Sequence, residues 1–286
     1  MQLTRHFRFK GYASALSGLL YVPKTTVIDL DCGSCALGVM GGRARAEVKS
    51  KSFGDAVRIA SATTLAEGVF DDEKRARAVV SHQGRQDELA STTTVSADVR
   101  EMSVGNNEGP FFTAKRLRAT LVSRSPDASG EPRIVPSKET TIEGVAIDGF
   151  GLTITLNLSL FQANDTCSKV MTAADDRKLS KADRKSLAMN TTVEGQPASG
   201  PPRLISSQNV IYTTIVRDIK WTGKPFPGAR IDEHTVIVPE FGRIFFGELL
   251  ISATERRLTM VRFELGSPLR GYVGGGDVGS NGSWYP

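Results

Sequence analysis

The closest pair of soft ligands in the chain is Cys32-Gly33-Ser34-Cys35, a C-x-x-C. Redox chemistry at such a pair needs its first thiolate stabilised at a helix N-terminus. The residues that follow run Ala-Leu-Gly-Val-Met-Gly-Gly and have no helical character. A zinc site needs two more ligands. Cys167 and one of His6, His82 or His234 would have to be brought in by the fold, because no second pair stands at ligand spacing. Cys32 and Cys35 are therefore the candidate metal ligands, set against the plainer expectation of buried or incidentally bridged thiols. Asp29-Leu30-Asp31, beside Gly33, opens like a calcium loop but lacks the later oxygen ligand and the distal Glu.

Other chemistry fails on inventory. The sequence holds no G-x-S-x-G, no H-E-x-x-H and no glycine-rich phosphate cradle, and its three histidines stand in unrelated contexts. Asp71-Asp72-Glu73 and Asp175-Asp176 adjoin Lys74-Arg75 and Arg177-Lys178, which reads as paired surface charge. Lys115-Arg116-Leu117-Arg118, with Arg124 and Arg133 nearby, invites thoughts of nucleic acid. On a strand, Lys115 and Leu117 would share one face and Arg116 and Arg118 the other, and no aromatic residues are interleaved for base stacking. A solvated strand guarded by charge is the expectation instead. Four Asn-x-Ser/Thr sequons, at Asn157, Asn164, Asn190 and Asn281, carry no weight without evidence of a glycosylating host. The expectation is no catalytic residue, no cofactor and no nucleic-acid partner.

The elements that would hold any site are legible as strands. Leu152 to Leu160 alternates Leu, Ile, Leu, Leu and Leu with Thr153, Thr155, Asn157 and Ser159, the period of a half-buried strand. Asp148-Gly149 just before it suits a two-residue hairpin turn. Strands are also expected at Phe7 to Phe9, Arg43 to Lys49, Val210 to Trp221, Thr235 to Val238, Arg243 to Ser252 and Arg257 to Leu265, the last with a bulge at Met260-Val261. Ser91 to Val104 and Phe111 to Ser123 form a hairpin pair around Gly105-Asn106-Asn107. Val57 to Ala66 suits a strand or a helix equally. Thr166 to Met189 changes character, with good helix formers and a thin apolar stripe, and predicts a helical insertion. Asn190 to Pro202 predicts a flexible loop. The glycine-rich close, ending Trp284-Tyr285-Pro286, predicts a frayed end or an arm that docks on a neighbour.

Composition bounds the rest. The 286 residues can bury a substantial core, and a net charge of +5 bears on encounter rather than on fold. No run approaches the ~18 apolar residues of a membrane-spanning helix. Basic residues before Ala13 to Val22 mimic the order of a signal peptide, but serines and a glycine dilute the apolar run and no small-x-small cleavage site follows. A retained first strand is expected.

Certain segments follow one another in a distinctive order: the Thr/Val strand after Thr92, Phe-Thr-Ala-Lys-Arg-Leu-Arg-Ala-Thr, and Thr-Thr-Ile-Glu-Gly-Val-Ala-Ile-Asp-Gly. Later come Val-Pro-Glu-Phe-Gly-Arg-Ile-Phe-Phe-Gly-Glu and Arg-Leu-Thr-Met-Val-Arg-Phe-Glu-Leu, then the Gly-rich close. This layout, with Gly-Tyr-Ala-Ser-Ala-Leu-Ser-Gly-Leu-Leu near the start, is similar to that of the bacterial choice-of-anchor P family of surface β proteins. The resemblance covers about two thirds of the chain. It implies an all-β, non-enzymatic, cell-surface or extracellular structural role, with no catalytic residues to carry over. The chain departs from the family in showing no clear leader, no terminal anchor, and a helical segment at 166–189.

Together these expectations make one β-rich domain over 1–286, an antiparallel sandwich or multi-sheet fold, with the helical insertion and flexible loop at 163–202. Functionally they make a non-catalytic structural or self-assembling protein whose partner is itself or a surface polymer. Trp284, Tyr285 and Trp221 are the candidate contacts. The alternative is a sandwich that binds a glycan or other polymer, with Trp221, Tyr212 or Trp284 as a stacking platform.

Overall fold

A computed structural model describes residues 6–21, 24–28, 32–72, 90–105, 111–126, 130–175, 180, 183, 186, 210–266 and 269–285. The chain opens with β1 (His6–Leu20), β2 (Thr26–Ile28) and β3 (Ser34–Ala36). β4 (Gly42–Val48), β5 (Lys51–Phe53), β6 (Val57–Ile59), β7 (Ser61–Phe70), β8 (Ser91–Val104) and β9 (Phe112–Ser125) follow. Next come β10 (Arg133–Pro136), β11 (Thr141–Glu143), β12 (Val145–Ile147), β13 (Phe150–Leu156), α1 (Leu158–Ala163) and α2 (Cys167–Asp175). The chain closes with β14 (Ile211–Thr214), β15 (Val216–Trp221), β16 (Arg230–Asp232), β17 (Thr235–Val238), β18 (Gly242–Ile251), β19 (Glu255–Leu265) and β20 (Gly271–Tyr285).

These strands make two antiparallel sheets among the described residues. One has nine strands in the order β16-β17-β18-β19-β20-β1-β2, with β14 beside β18 and β3 beside β1. The other has eleven, in the order β15-β13-β12-β9-β8-β6-β5, with β7 between β8 and β4, and β10 and β11 beside β9. β20 lies over β8 and β9, and β1 over β7 and β8, so the sheets stack face to face around a shared apolar core. Phe112 of β9 meets Phe263 of β19 edge-on at 4.8 Å between ring centroids, an aromatic contact across the two layers. The all-β expectation therefore holds. So does the Asp148-Gly149 hairpin, where Ile147 faces Phe150 and both turn residues have positive φ (48° and 80°).

Both sheets carry a transverse crease at which the pleat reverses phase. In β19 the buried positions are Arg256, Leu258 and Met260, then Val261, Phe263 and Leu265. No residue is inserted, because Glu248 faces Thr259 and Phe246 faces Val261 across the slip, and the pairing with β20 is equally continuous. The bulge expected at Met260-Val261 is thus a phase reversal, produced by left-handed Gly247 (φ 61°) and Gly276 (φ 66°) on the flanking strands. On β1 the same level is marked by consecutive buried Ala15 and Leu16. In the second sheet Glu101 (φ 49°) and Gly144 (φ 62°) flank Lys115, and the inner face passes from Val99 to Met102 on β8 and from Ala114 to Leu117 on β9. The creases face each other, since a Cβ at Gly275 would lie 3.0 Å from the Met102 sulfur and one at Gly276 would lie 3.9 Å from Leu117 Cβ.

Two expectations are corrected. The strand through Leu152 ends at Leu156, and Leu158–Ala163 is helix α1, burying Leu160 and Phe161 together. Asn157 ends the ladder: it is buried, and its Nδ2 donates to Asp183 Oδ1 at 2.8 Å and to Ser186 Oγ at 3.2 Å. Helix therefore begins before 166, and α2 with the helical residues 183 and 186 represents the described part of the insertion. The rest of 176–189 and the loop to Pro202 lie outside the described residues. The glycine-rich close is not a frayed end or a docking arm but β20, paired along both edges with β1 and β19. Its missing side chains make room for neighbours, as at Gly279, where a Cβ would lie 2.2 Å from the Tyr12 ring.

Gly276→Ala should cost about 1–3 kcal/mol of unfolding free energy, because it forces a Cβ into the left-handed region and to 3.1 Å from Met260 Cγ. Gly223→Ala, in open space, should be near neutral; urea denaturation of the two variants checks the contrast.

Candidate functional site

Cys32 is fully buried and Cys35 half-buried on β3, opposite Ala13 of β1. Burial pushes the Cys35 thiol up, although it hydrogen-bonds with Thr64 and with the backbone of Ala13. This is the reverse of a reactive thiolate. Cys167 lies on α2, and burial and the charge of Glu131 push its thiol up as well. The described residues hold no group of three or more His, Cys, Asp or Glu placed to bind a metal ion. His234 is buried beside Phe245. His82 and Asp29 to Asp31 lie outside the described residues.

The basic run is spent on ion pairs. Arg116 makes two bonds to Asp98, at 2.9 and 2.6 Å, and Arg118 pairs with Glu139. Arg124 bonds Asp71 at 2.9 Å rather than leaving Asp71 to its sequence neighbours. Lys115 is exposed although it shares sequence parity with buried Leu117, because the crease separates them. Trp221 faces Leu152 and packs half-buried on the core, so its indole is not a free platform. Trp284 and Tyr285 stand opposite Phe7 and His6 in the ladder. Their side chains lie outside the described residues.

What the fold brings together is a polar row along the outer face of the nine-stranded sheet, at the crease. Glu248, Thr259, Asp277, Ser14 and Ser34 are successive cross-strand neighbours on β18, β19, β20, β1 and β3. Asp277, 5% exposed, accepts bonds from Arg257 Nε at 3.0 Å and Nη2 at 2.6 Å, and from Thr259 Oγ1 at 3.0 Å. Glu248 accepts from Arg262 Nε and Nη2 at 2.6 and 2.8 Å. Ser34 Oγ donates to Ser14 Oγ at 2.9 Å, and Ser14 Oγ donates to the Leu16 carbonyl at 2.9 Å. Beside the row is a cavity of about 440 Å³, lined by Tyr12, Ser14, Ser17, Ser34 and Ala36 among others. Burial, reinforced by the charge of Asp277, pushes the Tyr12 phenol up and keeps it neutral. Both carboxylates are engaged by guanidinium donors.

The second arrangement is a sheet edge. Among the described residues β4 pairs with β7 on one side and with no strand on the other, and β5 pairs only with β6. Along β4, Arg43, Arg45 and Glu47 are exposed, with Arg45 ion-paired to Glu47, while Ala44, Ala46 and Val48 are half-buried. Near the start of this edge stand Val39, Met40 and Val69, exposed at 58, 70 and 50%.

A domain-family match spans residues 7–252, under the description Domain of unknown function (DUF8256). The chain belongs to the DUF8256 family. No curated protein and no solved structure matches it. No helix among the described residues of this DUF8256 chain is long and apolar enough to cross a membrane.

Residue-by-residue reading missed Arg256. It is 1% exposed, sharing an inner face with Leu258 and Met260. Its Nη2 donates to the Asn164 carbonyl at 3.2 Å, tying β19 to the link between α1 and α2, and its Nη1 has no partner among the described residues. The available signal was an arginine in phase with an apolar stripe. Burial pushes its guanidinium down to about 10, with Cys167, Asp165 and Glu131 opposing that shift. The unfolded chain then binds more protons than the folded one above about pH 10, so this group's destabilisation holds below pH 10 and is relieved as pH rises past it. Arg256→Met should raise the unfolding free energy at pH 7 by about 1–3 kcal/mol, and the gap to wild type should narrow at pH 11. Denaturant titrations at the two pH values check it.

Proposed function

We propose that this DUF8256 chain is a non-catalytic, self-assembling structural β protein that joins further copies through the edge formed by β4 and β5. The observation that carries this is that, among the described residues, one side of that edge is unpaired. A strand edge presents a row of main-chain donors and acceptors, ready to extend a sheet. The matching flank of the nine-stranded sheet ends in two three-residue strands, β2 and β3, beside β1, with Phe9 N–H donating to the Val39 carbonyl at 3.0 Å and Leu37 N–H to the Gly11 carbonyl at 2.8 Å, so its strands are shorter than β4. Exposed Val39, Met40 and Val69 beside the open edge add apolar surface that association would cover. The engagement of Asp277, Glu248 and Asp98 by arginines agrees with a role in cohesion. The resemblance to choice-of-anchor P proteins points toward a surface role of the same kind.

Sedimentation velocity across a wide concentration range tests it. Species larger than the monomer should grow with concentration, and Arg45→Pro, which removes an N–H on the open side while the Ala46 N–H stays in the ladder with β7, should shift the distribution toward monomer. A protein that stays monomeric throughout removes the proposal.

A second reading is favoured by the cavity beside Tyr12, whose volume of about 440 Å³ falls within the size of small-ligand sites and whose lining is mostly apolar, with Tyr12 on its wall. Under it the chain binds a glycan or other polymer. A glycan array should then give signals that Tyr12→Ala abolishes, and an array without signals removes this reading.

A further inference from the structure

We infer that β4 pairs with β4 of a second copy, antiparallel, about a two-fold axis through Ala46. This deepens the self-assembly reading and rests on it. Such an axis, perpendicular to the sheet, keeps the exposed faces of both copies on one side and makes the contact isologous. It sets Arg45 of each copy opposite Glu47 of the other, two opposite-charge pairs at the centre. On the inner face, Ala46 stands opposite Ala46, and Ala44 opposite Val48. These are side chains that a lone edge leaves only half-buried. Arg43 meets Lys49 at the rim, where both are exposed and Lys49 lies beyond the strand.

The neighbouring two-fold register, through Arg45, would set two guanidinium groups face to face at the centre of the interface. Like charges directly opposite are destabilising. The Ala46 register avoids this. The centre of the surface is thus complementary to itself in charge and in side-chain size, with the like-charged Arg43 and Lys49 left at its exposed rim. The partner that fits it is a second copy of this chain.

Charge reversal and cross-linking test the register. Arg45→Glu and Glu47→Arg, each with wild-type circular dichroism, should each weaken dimerisation about tenfold by sedimentation equilibrium, and the double variant should restore it. Directly opposed residues of antiparallel strands lie about 4.5–5.5 Å apart at Cα, within disulfide reach. Ala46→Cys should therefore give a covalent dimer on mild oxidation, with Ala44→Cys and the wild-type chain as negative controls. Association that survives both single reversals, with no cross-link at position 46, overturns this register while leaving self-assembly standing. Absence of association at any concentration overturns the reading beneath it.

Discussion

A strand buried on one face must keep its apolar residues on that face for its whole length, and β1, β8, β9 and β19 are too long to do so with one unbroken alternation. Each changes parity midway. The change survives because it occurs at the same level on neighbouring strands, so ladder register is preserved while the pleat turns over. A lone reversal would turn half of one strand's apolar side chains to solvent. Coordinated across a sheet, and matched by the facing sheet at Met102 and Leu117, it lets both inner faces stay apolar from end to end.

β20 bears this constraint most heavily. It is central in its sheet, carries Gly276 at the reversal, and is overlaid by Tyr12 on one side and Met102 on the other. Glycine weakens an isolated strand. Here the backbone is held by ladders on both edges, and absent side chains are what allow close packing of the neighbours. The reversal also shapes the outer face. It gathers Glu248, Thr259, Asp277, Ser14 and Ser34 into one row, flanked by Arg257 and Arg262, which hydrogen-bond the two carboxylates.

The chemistry of the chain is consequently distributed for cohesion. Arginine–carboxylate pairs join β8 to β9, β19 to β20, and β18 to β19. Arg256 is the costly exception, a guanidinium out of water with one carbonyl partner. β4 and β5 leave main-chain groups unpaired on one side among the described residues.

Strand content was legible because alternation of apolar and polar residues has a period of two and needs only neighbours in sequence. Phe112–Ser125, Thr235–Val238, Arg45 with Glu47 on one face of β4, and the Asp148-Gly149 turn all follow from it. Fold class follows too, from many such segments and few helical ones. The helix at Leu158 was hidden because Leu158 and Leu160 extend an alternation that the Asn157 bonds to Asp183 and Ser186 cut short, and those partners lie far along the chain. The centrality of β20 was hidden for the same reason, since only β1 and β19 make its glycines useful. The phase reversals, the burial of Arg256 and the open side of β4 belong to pairings between distant segments. Local pattern states which residues seek the interior; only packed sheets state which edges remain open.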